Sequence, residues 1–84
     1  MNYLCEVCGY PYLDEPPYDE FGYGTYLICP CCGFEFGYDD YPDKEKGIID
    51  WRNNWINNGF KWFSKYTSPP VNWNPKKQLV NLKK

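Results

Sequence analysis

The hydrophobic pattern along the chain is helical over residues 44–57. Asp43 stands before this stretch as an N-cap and Gly59 follows it, and residues of these types commonly mark the two ends of a helix. The apolar side chains inside the stretch recur at helical spacing, so we expect one apolar stripe that packs on the rest of the chain. The stripe consists of Ile48, Trp51, Trp55 and Ile56.

The remaining predicted elements are short. A final helix is predicted over 75–82, because Asn74 offers an N-cap and Pro75 suits the first helical position. Strands are predicted where β-forming residues cluster, at 2–5, 24–29 and 34–38. Short strands followed by helices predict a small α+β domain.

The cysteines lie in two copies of one motif, Cys-x-x-Cys-Gly-aromatic-x-aromatic, which begin at Cys5 and Cys29. The two Cys-x-x-Cys pairs are separated by 20 residues, a spacing typical of four-cysteine zinc sites. Two intervening residues allow one tight turn to present both thiolates to the same ion. The glycine after each pair, Gly9 or Gly33, supplies a positive φ that turns the chain away from the metal.

The second copy of the motif contains an extra cysteine, so its ligand pair is either Cys29 with Cys32 or Cys29 with Cys31. Only the first choice places a glycine directly after the second ligand, as in the first copy. We therefore predict that Cys31 fills a turn position, with a reactive thiol beside the metal as the alternative. The predicted metal ligands are Cys5, Cys8, Cys29 and Cys32.

Zinc, one ion per chain, is the expected metal. The start of the chain, residues 1–5, has no secretory signal, so the expected location is the cytoplasm, where structural disulfides are rare. An odd count of five cysteines also argues against a set of disulfides. A chain of 84 residues with few aliphatic side chains has a small core, so we expect a bound metal to stabilise it. Iron held as in rubredoxin is the main alternative, and disulfides or an empty site are the others.

Two resemblances accompany the motif. The opening Tyr3-x-Cys5-x-Val7-Cys8-Gly9-Tyr10 resembles the first metal-binding knuckle of rubredoxins. The string Ile28-Cys29-Pro30-Cys31-Cys32, followed by Asp39-Asp40, resembles small cysteine-rich bacterial proteins of the CPCC type. The Trp-rich second half is similar to small proteins of Gram-positive bacteria and their phages. These resemblances imply metal binding and a zinc-ribbon or rubredoxin-like pair of β-hairpin knuckles with a C-terminal helical segment packed on them.

Charge divides the chain into two parts. Residues 1–43, the acidic part, hold nine Asp and Glu and no Lys or Arg, whereas residues 44–84, the basic part, hold nine Lys and Arg and two acids. We interpret the chain, 1–84, as a single domain in which the two parts fold together and neutralise each other. This interpretation predicts at least one ion pair between the acidic part and Arg52, Lys61 or Lys65.

Composition narrows the function. The chain has no His, so a His general base and an imidazole metal ligand are both excluded. Four thiolates leave no open position on a zinc ion, which argues against catalysis. The sequence therefore predicts a non-enzymatic zinc-binding module of the inhibitor, immunity or adaptor type, whose partner is a protein. No apolar run is long enough to span a membrane, and the oligomeric state is not predicted.

Two other functions remain as alternatives. The first is an electron carrier like rubredoxin, with iron on the four cysteines. The second is a nucleic-acid-binding zinc ribbon, whose cations and aromatic side chains would come from the basic part of the chain. The acidic sequence pI of about 4.9 disfavours this second alternative.

Overall fold

The longest element is helix α1, Lys44–Asn57, in a computed structural model that describes residues 2–82. The side chain of Asp43 accepts a hydrogen bond from the backbone N–H of Lys46, as an N-cap should. The helix ends at Asn57, with Asn58 as its C-cap, and Gly59 follows with a φ of 89°. The predicted helix 44–57 is therefore confirmed, and the predicted end residues define it.

The chain closes with a second helical segment. Helix α2 spans Pro75–Gln78 and continues as a single 3-10 turn, Leu79–Leu82. Asn74 caps it by accepting a hydrogen bond of 3.0 Å from the backbone N–H of Lys77. The predicted helix 75–82 is thus helical throughout, but only its first turn is α, because short terminal helices readily tighten to 3-10 geometry. Neither helix in the described range is both long enough and apolar enough to traverse a bilayer.

The predicted strands at 2–5, 24–29 and 34–38 are not formed as strands. Between residues 2 and 82, β-pairing is limited to isolated antiparallel bridges that join Tyr3 to Leu13, Tyr18 to Gly24 and Ile28 to Glu35. Tyr26, inside the second predicted strand, has a φ of 63°, and Gly37, inside the third, has a φ of 105°. Residues at positive φ cannot continue an extended strand, so the pairing stops at single bridges. The helices are as expected, and a β-hairpin at each cysteine pair is not confirmed.

Aromatic side chains build the core where α1 meets the cysteines. Phe34 and Phe36 are fully buried, and the ring of Trp51 meets Phe34 edge to face with centroids 5.6 Å apart. Trp55 is only 6% exposed, and Ile48 is 8% exposed. The expected apolar stripe of α1 therefore covers the cysteine-containing part. The single domain expected over 1–84 stays a prediction. Met1, Lys83 and Lys84 lie outside the described residues.

The expected ion pairs between the acidic and basic parts are not formed. Among the described residues, the one salt bridge joins Lys46 to Asp50 within α1. Arg52 instead donates hydrogen bonds of 2.6 and 2.7 Å to the carbonyl oxygens of Val7 and Glu6. The prediction of a carboxylate partner is wrong, because backbone carbonyls occupy the guanidinium donors that such a pair would use.

Candidate metal centre

Two turns of the same backbone geometry carry the cysteines: the first cysteine turn is residues 5–10 and the second is residues 29–34. In the first, the N–H of Gly9 donates to the carbonyl of Cys5 at 2.9 Å, and in the second, the N–H of Gly33 donates to Cys29 at 2.8 Å. Gly9 and Gly33 have φ angles of 84° and 81°. The predicted role of these glycines is confirmed, since both leave their turn in a conformation that other residues rarely adopt.

The four predicted ligand sulfurs converge on one point. All four Sγ atoms lie within 4.8 Å of one another, with 3.9 Å between Cys5 and Cys32 and 3.8 Å between Cys8 and Cys29. Sulfurs held about 2.3 Å from a tetrahedral ion are about 3.8 Å apart, whereas a disulfide bond is about 2.0 Å long. The arrangement therefore fits a metal ion, and all five cysteines are free thiols.

The cluster is closed to solvent. Cys5, Cys8 and Cys29 have no exposed surface, and Cys32 is 6% exposed. Four buried sulfurs around one point fill a tetrahedral coordination shell, which is the arrangement of structural rather than catalytic zinc sites.

The thiols of the cluster shift one another's protonation. Hydrogen bonds from Cys32, Cys5 and Cys8 lower the pKa of the Cys29 thiol well below its usual range. Hydrogen bonding to Cys29 raises the pKa of Cys8 and of Cys32, and burial adds to both. A metal ion binds thiolates, so binding of one ion by all four sulfurs releases the protons that they still hold.

Carbonyl oxygens of the first cysteine turn are capped by side chains from the basic part. Gln78 is buried, although its amide is polar, and Trp73 Nε1 donates to its Oε1 at 2.8 Å. This leaves the Gln78 amide nitrogen free to face the turn. The donors are Arg52 to Glu6 and Val7, Gln78 Nε2 to Cys8 at 2.9 Å, and Asn81 Nδ2 to Gly9 at 2.9 Å.

The carbonyl oxygens of the second cysteine turn are capped by one side chain and two backbone N–H groups of the basic part. Trp51 Nε1 donates to the carbonyl of Cys32 at 3.0 Å. Backbone N–H groups supply the other two bonds, from Phe63 to Cys31 at 3.0 Å and from Ser64 to Pro30 at 2.9 Å. Sequence reasoning missed these contacts, although the Trp51 ring was placed correctly on the cysteine-containing part. The basic part therefore holds the backbone of both turns that present the sulfurs.

Cys31 does not belong to the converging group. Its side chain has no exposed surface, and Gln78 Nε2 lies 3.5 Å from its Sγ. A thiol without solvent contact is poorly placed to react, so the geometry favours the turn-filling role over the reactive one.

A cleft of about 610 Å³ opens beside Cys32, and Trp51, Trp55 and Trp62 line it. Each of their indole N–H groups is already used within the chain. Beside the Trp51 bond to Cys32, Trp55 donates to Lys61 at 3.0 Å and Trp62 to Thr67 at 2.6 Å. Internal hydrogen bonds therefore hold the three rings that form the cleft.

Two proteins of Bacillus subtilis (strain 168) are similar to the chain. Uncharacterized protein YoaQ is 41% identical over 64 residues, which cover 75% of this chain and 54% of YoaQ. Uncharacterized protein YozI is 38% identical over 73 residues, which cover 70% of this chain and 60% of YozI. The chain thus spans less than two thirds of the length of either relative. No family model matches the chain, and no solved structure matches it.

Proposed function

We propose that the chain is a non-enzymatic module that folds around one zinc ion and binds a protein partner. The observation that carries this proposal is the closed cluster of four buried sulfurs. Because such a cluster fills the coordination shell, the ion would stabilise the fold rather than bind a substrate. The repeated turns, each with a glycine at positive φ, support the zinc-ribbon description of this part even though pairing around them is limited to isolated bridges.

The surface that supports a protein partner lies on the acidic part. We call it the aromatic face, and its side chains are between 66% and 82% exposed: Phe21, Tyr23, Tyr26, Tyr38 and Tyr41. These side chains come from two loops, residues 21–26 and 36–41. The loops adjoin, because Tyr26 N–H donates to the carbonyl of Phe36 at 2.7 Å and Gly24 packs directly on Gly37. Exposed aromatic side chains are enriched at protein interfaces and seldom gather on a surface without a role.

The charge of this surface favours a basic partner. The acidic part has no Lys or Arg of its own, and among residues 2–82 no ion pair joins it to the basic part. Exposed carboxylates of this part, such as those of Glu15 and Glu20, can therefore meet cations of another protein, which would speed and orient the encounter.

The experiment combines metal analysis with partner capture. Purified chain should contain one zinc ion, and the same bound proteins should be recovered by the parent chain and by Tyr66→Ser, whose tyrosine is 98% exposed outside the aromatic face. Tyr23→Ser with Tyr38→Ser should lose them. Capture that is equal for all three chains would contradict a partner at the aromatic face.

An electron carrier is the second candidate, since four thiolates in tetrahedral geometry also suit iron. The sulfur distances of 3.8 and 3.9 Å are the observation that favours it. Chain prepared with both metals available should then be red and should bleach on reduction. Colourless chain with one zinc ion would exclude this function.

A further inference from the structure

Arg52 reaches the centre of the first cysteine turn. Its Nε donates to the carbonyl of Val7 at 2.6 Å and its Nη2 donates to the carbonyl of Glu6 at 2.7 Å. Glu6 and Val7 are the two residues between the predicted ligands Cys5 and Cys8. One planar guanidinium therefore spans the segment whose shape sets the direction of both thiols.

Arg52 is also the positively charged member of the group of side chains that cap the two cysteine turns. The other side chains that cap the turns, Trp51, Gln78 and Asn81, are neutral. The nearby ammonium of Lys44 lies 3.7 Å above the ring of Tyr18 and bonds to neither turn. Among the described residues, no other Lys or Arg side chain donates a hydrogen bond to residues of the acidic part, since the side chain of Lys46 bonds to Asp50.

The metal centre that the sulfurs fit is itself negative. Four thiolates and one divalent ion leave two net negative charges, in a part of the chain with nine acids and no base. The sulfurs are buried, whereas Arg52 is half-buried, so the attraction between them is stronger than in bulk water but remains sensitive to salt. Hydrogen bonds from a charged donor are, in addition, about twice as strong as neutral ones.

We propose that Arg52 is a positioning residue of the metal centre, which fixes the first cysteine turn and supplies the positive charge that balances the metal–thiolate group. Groups that hold or polarise metal ligands without touching the metal commonly change metal affinity by about 10–100-fold when they are replaced. This role rests on the zinc ion of the proposed function but not on a partner at the aromatic face. Zn²⁺ binding by the parent chain tests the ion, whereas the Arg52 variants test the role of Arg52.

The test separates the charge of Arg52 from its hydrogen bonds. Zn²⁺ affinity is measured by competition with a chromophoric chelator for the parent chain, Arg52→Gln, Arg52→Lys and Arg52→citrulline, the last made by chemical ligation. Citrulline keeps an Nε–H and an NH₂ in nearly the same shape but carries no charge. Lys65→Gln is the matched control, because it removes one positive charge from an exposed residue whose side chain donates no hydrogen bond to either cysteine turn.

We expect Arg52→Gln and Arg52→citrulline to weaken Zn²⁺ binding by about 10–100-fold, Arg52→Lys to recover part of the loss, and Lys65→Gln to change little. The loss for citrulline should shrink in high salt, which a purely structural role would not produce. The absorption bands of the Co²⁺-loaded chain should also shift for citrulline and remain unchanged for Lys65→Gln.

Three results would overturn the proposal. Parental affinity for Arg52→citrulline would show that the charge plays no part. Equal losses for Arg52→Gln and Lys65→Gln would show that the position of Arg52 is irrelevant. A parent chain that binds no Zn²⁺ would remove the metal centre itself. If Arg52→Gln fails to fold, the comparison of citrulline with lysine still decides the role of the charge.

Discussion

The indole Nε1–H of Trp51 donates a hydrogen bond of 3.0 Å to the carbonyl oxygen of Cys32. The next residue, Arg52, bonds to Val7 in the first cysteine turn. Successive residues of a helix point about 100° apart around its axis, so neighbours can face different structures. In this chain, two consecutive residues of α1 therefore hold one cysteine turn each, which makes the helix part of the candidate metal centre.

Replacement of the two tryptophans of α1 should separate packing from hydrogen bonding. Trp55→Ala should lower the free energy of unfolding by about 3–5 kcal/mol, because it empties a large buried site. Trp51→Phe keeps an aromatic ring beside Phe34 but leaves the carbonyl of Cys32 without its donor, which should cost about 1 kcal/mol. Denaturant titration of the metal-loaded chain measures both. Unchanged stability for Trp55→Ala would mean that this residue serves a surface instead of the core.

Serine substitutions should distinguish the four converging cysteines from the fifth. Cys32→Ser should abolish stable binding of one ion and unfold much of residues 5–34, since structural zinc contributes about 10–16 kcal/mol in small domains. The same outcome is expected at Cys5, Cys8 and Cys29. Native mass spectrometry and circular dichroism give metal content and structure.

Cys31→Ser is the matched control for this series. It keeps a small side chain beside Gln78 and leaves the converging sulfurs intact, so one ion per chain should remain. Damage equal to that of Cys32→Ser would show that the ligand set is wrong.

Gly47 should not tolerate alanine, although it lies inside α1. A glycine in a helix costs about 1 kcal/mol relative to alanine, so local propensity alone predicts that Gly47→Ala is stabilising. A Cβ at this position would, however, lie 2.8 Å from the carbonyl oxygen of Asp39 and 3.0 Å from the Cα of Asp40. Because both are backbone atoms, relief requires α1 to move, and we expect a net loss of stability.

The control for this prediction is Asn53→Ala, at an exposed position of the same helix. It gains helix propensity without a neighbour to clash with, so it should stabilise the chain slightly. Thermal melts of the two variants should shift in opposite directions. A higher melting temperature for Gly47→Ala would show that α1 does not pack tightly on the 39–40 segment.

Local chemistry explains which parts of the fold were predictable. Helix α1 is specified by its own cap, Asp43, and by the glycine that follows it, and the cysteine turns by spacing and by Gly9 and Gly33. The strand prediction failed at Tyr26, a residue type with high β-propensity that has a φ of 63° here. Propensity describes an isolated residue, whereas close contact of the adjoining loops sets the backbone there.

Contacts between distant residues explain what sequence reasoning missed at the site. Gln78 and Cys8 are 70 positions apart, and their hydrogen bond depends on how the C-terminal helical turn meets the first cysteine turn. A polar residue next to an apolar helical stripe gives no local signal of such a bond. For Arg52, the division of charge along the chain predicted a carboxylate partner. Backbone carbonyls carry no formal charge, so a prediction based on charged residues does not include them as partners.

Tyr18 and Asp40 form a partly buried pair that should make stability depend on pH. The Tyr18 hydroxyl donates to Asp40 Oδ2 at 2.6 Å, and Asp40 is 8% exposed. Burial, followed by the bond to Asp40, raises the pKa of Tyr18 above its usual value of 10.0. The folded pKa therefore exceeds the unfolded one. Stability from this phenol is fully present below about pH 10 and is lost as the pH rises through the folded pKa.

The parent chain should therefore lose stability above pH 10 as the phenol of Tyr18 ionises in the unfolded chain. Tyr18→Phe lacks the phenol and should not show this part of the loss. At neutral pH, Tyr18→Phe should be the less stable chain by about 1.5–3 kcal/mol, the usual worth of a hydrogen bond to a charged group. Tyr66→Phe, at a residue that is 98% exposed, should follow the parent chain at every pH. Denaturant titrations from pH 7 to about pH 11 measure the three curves. Parallel curves for the parent chain and Tyr18→Phe would show that the phenol does not carry the alkaline loss.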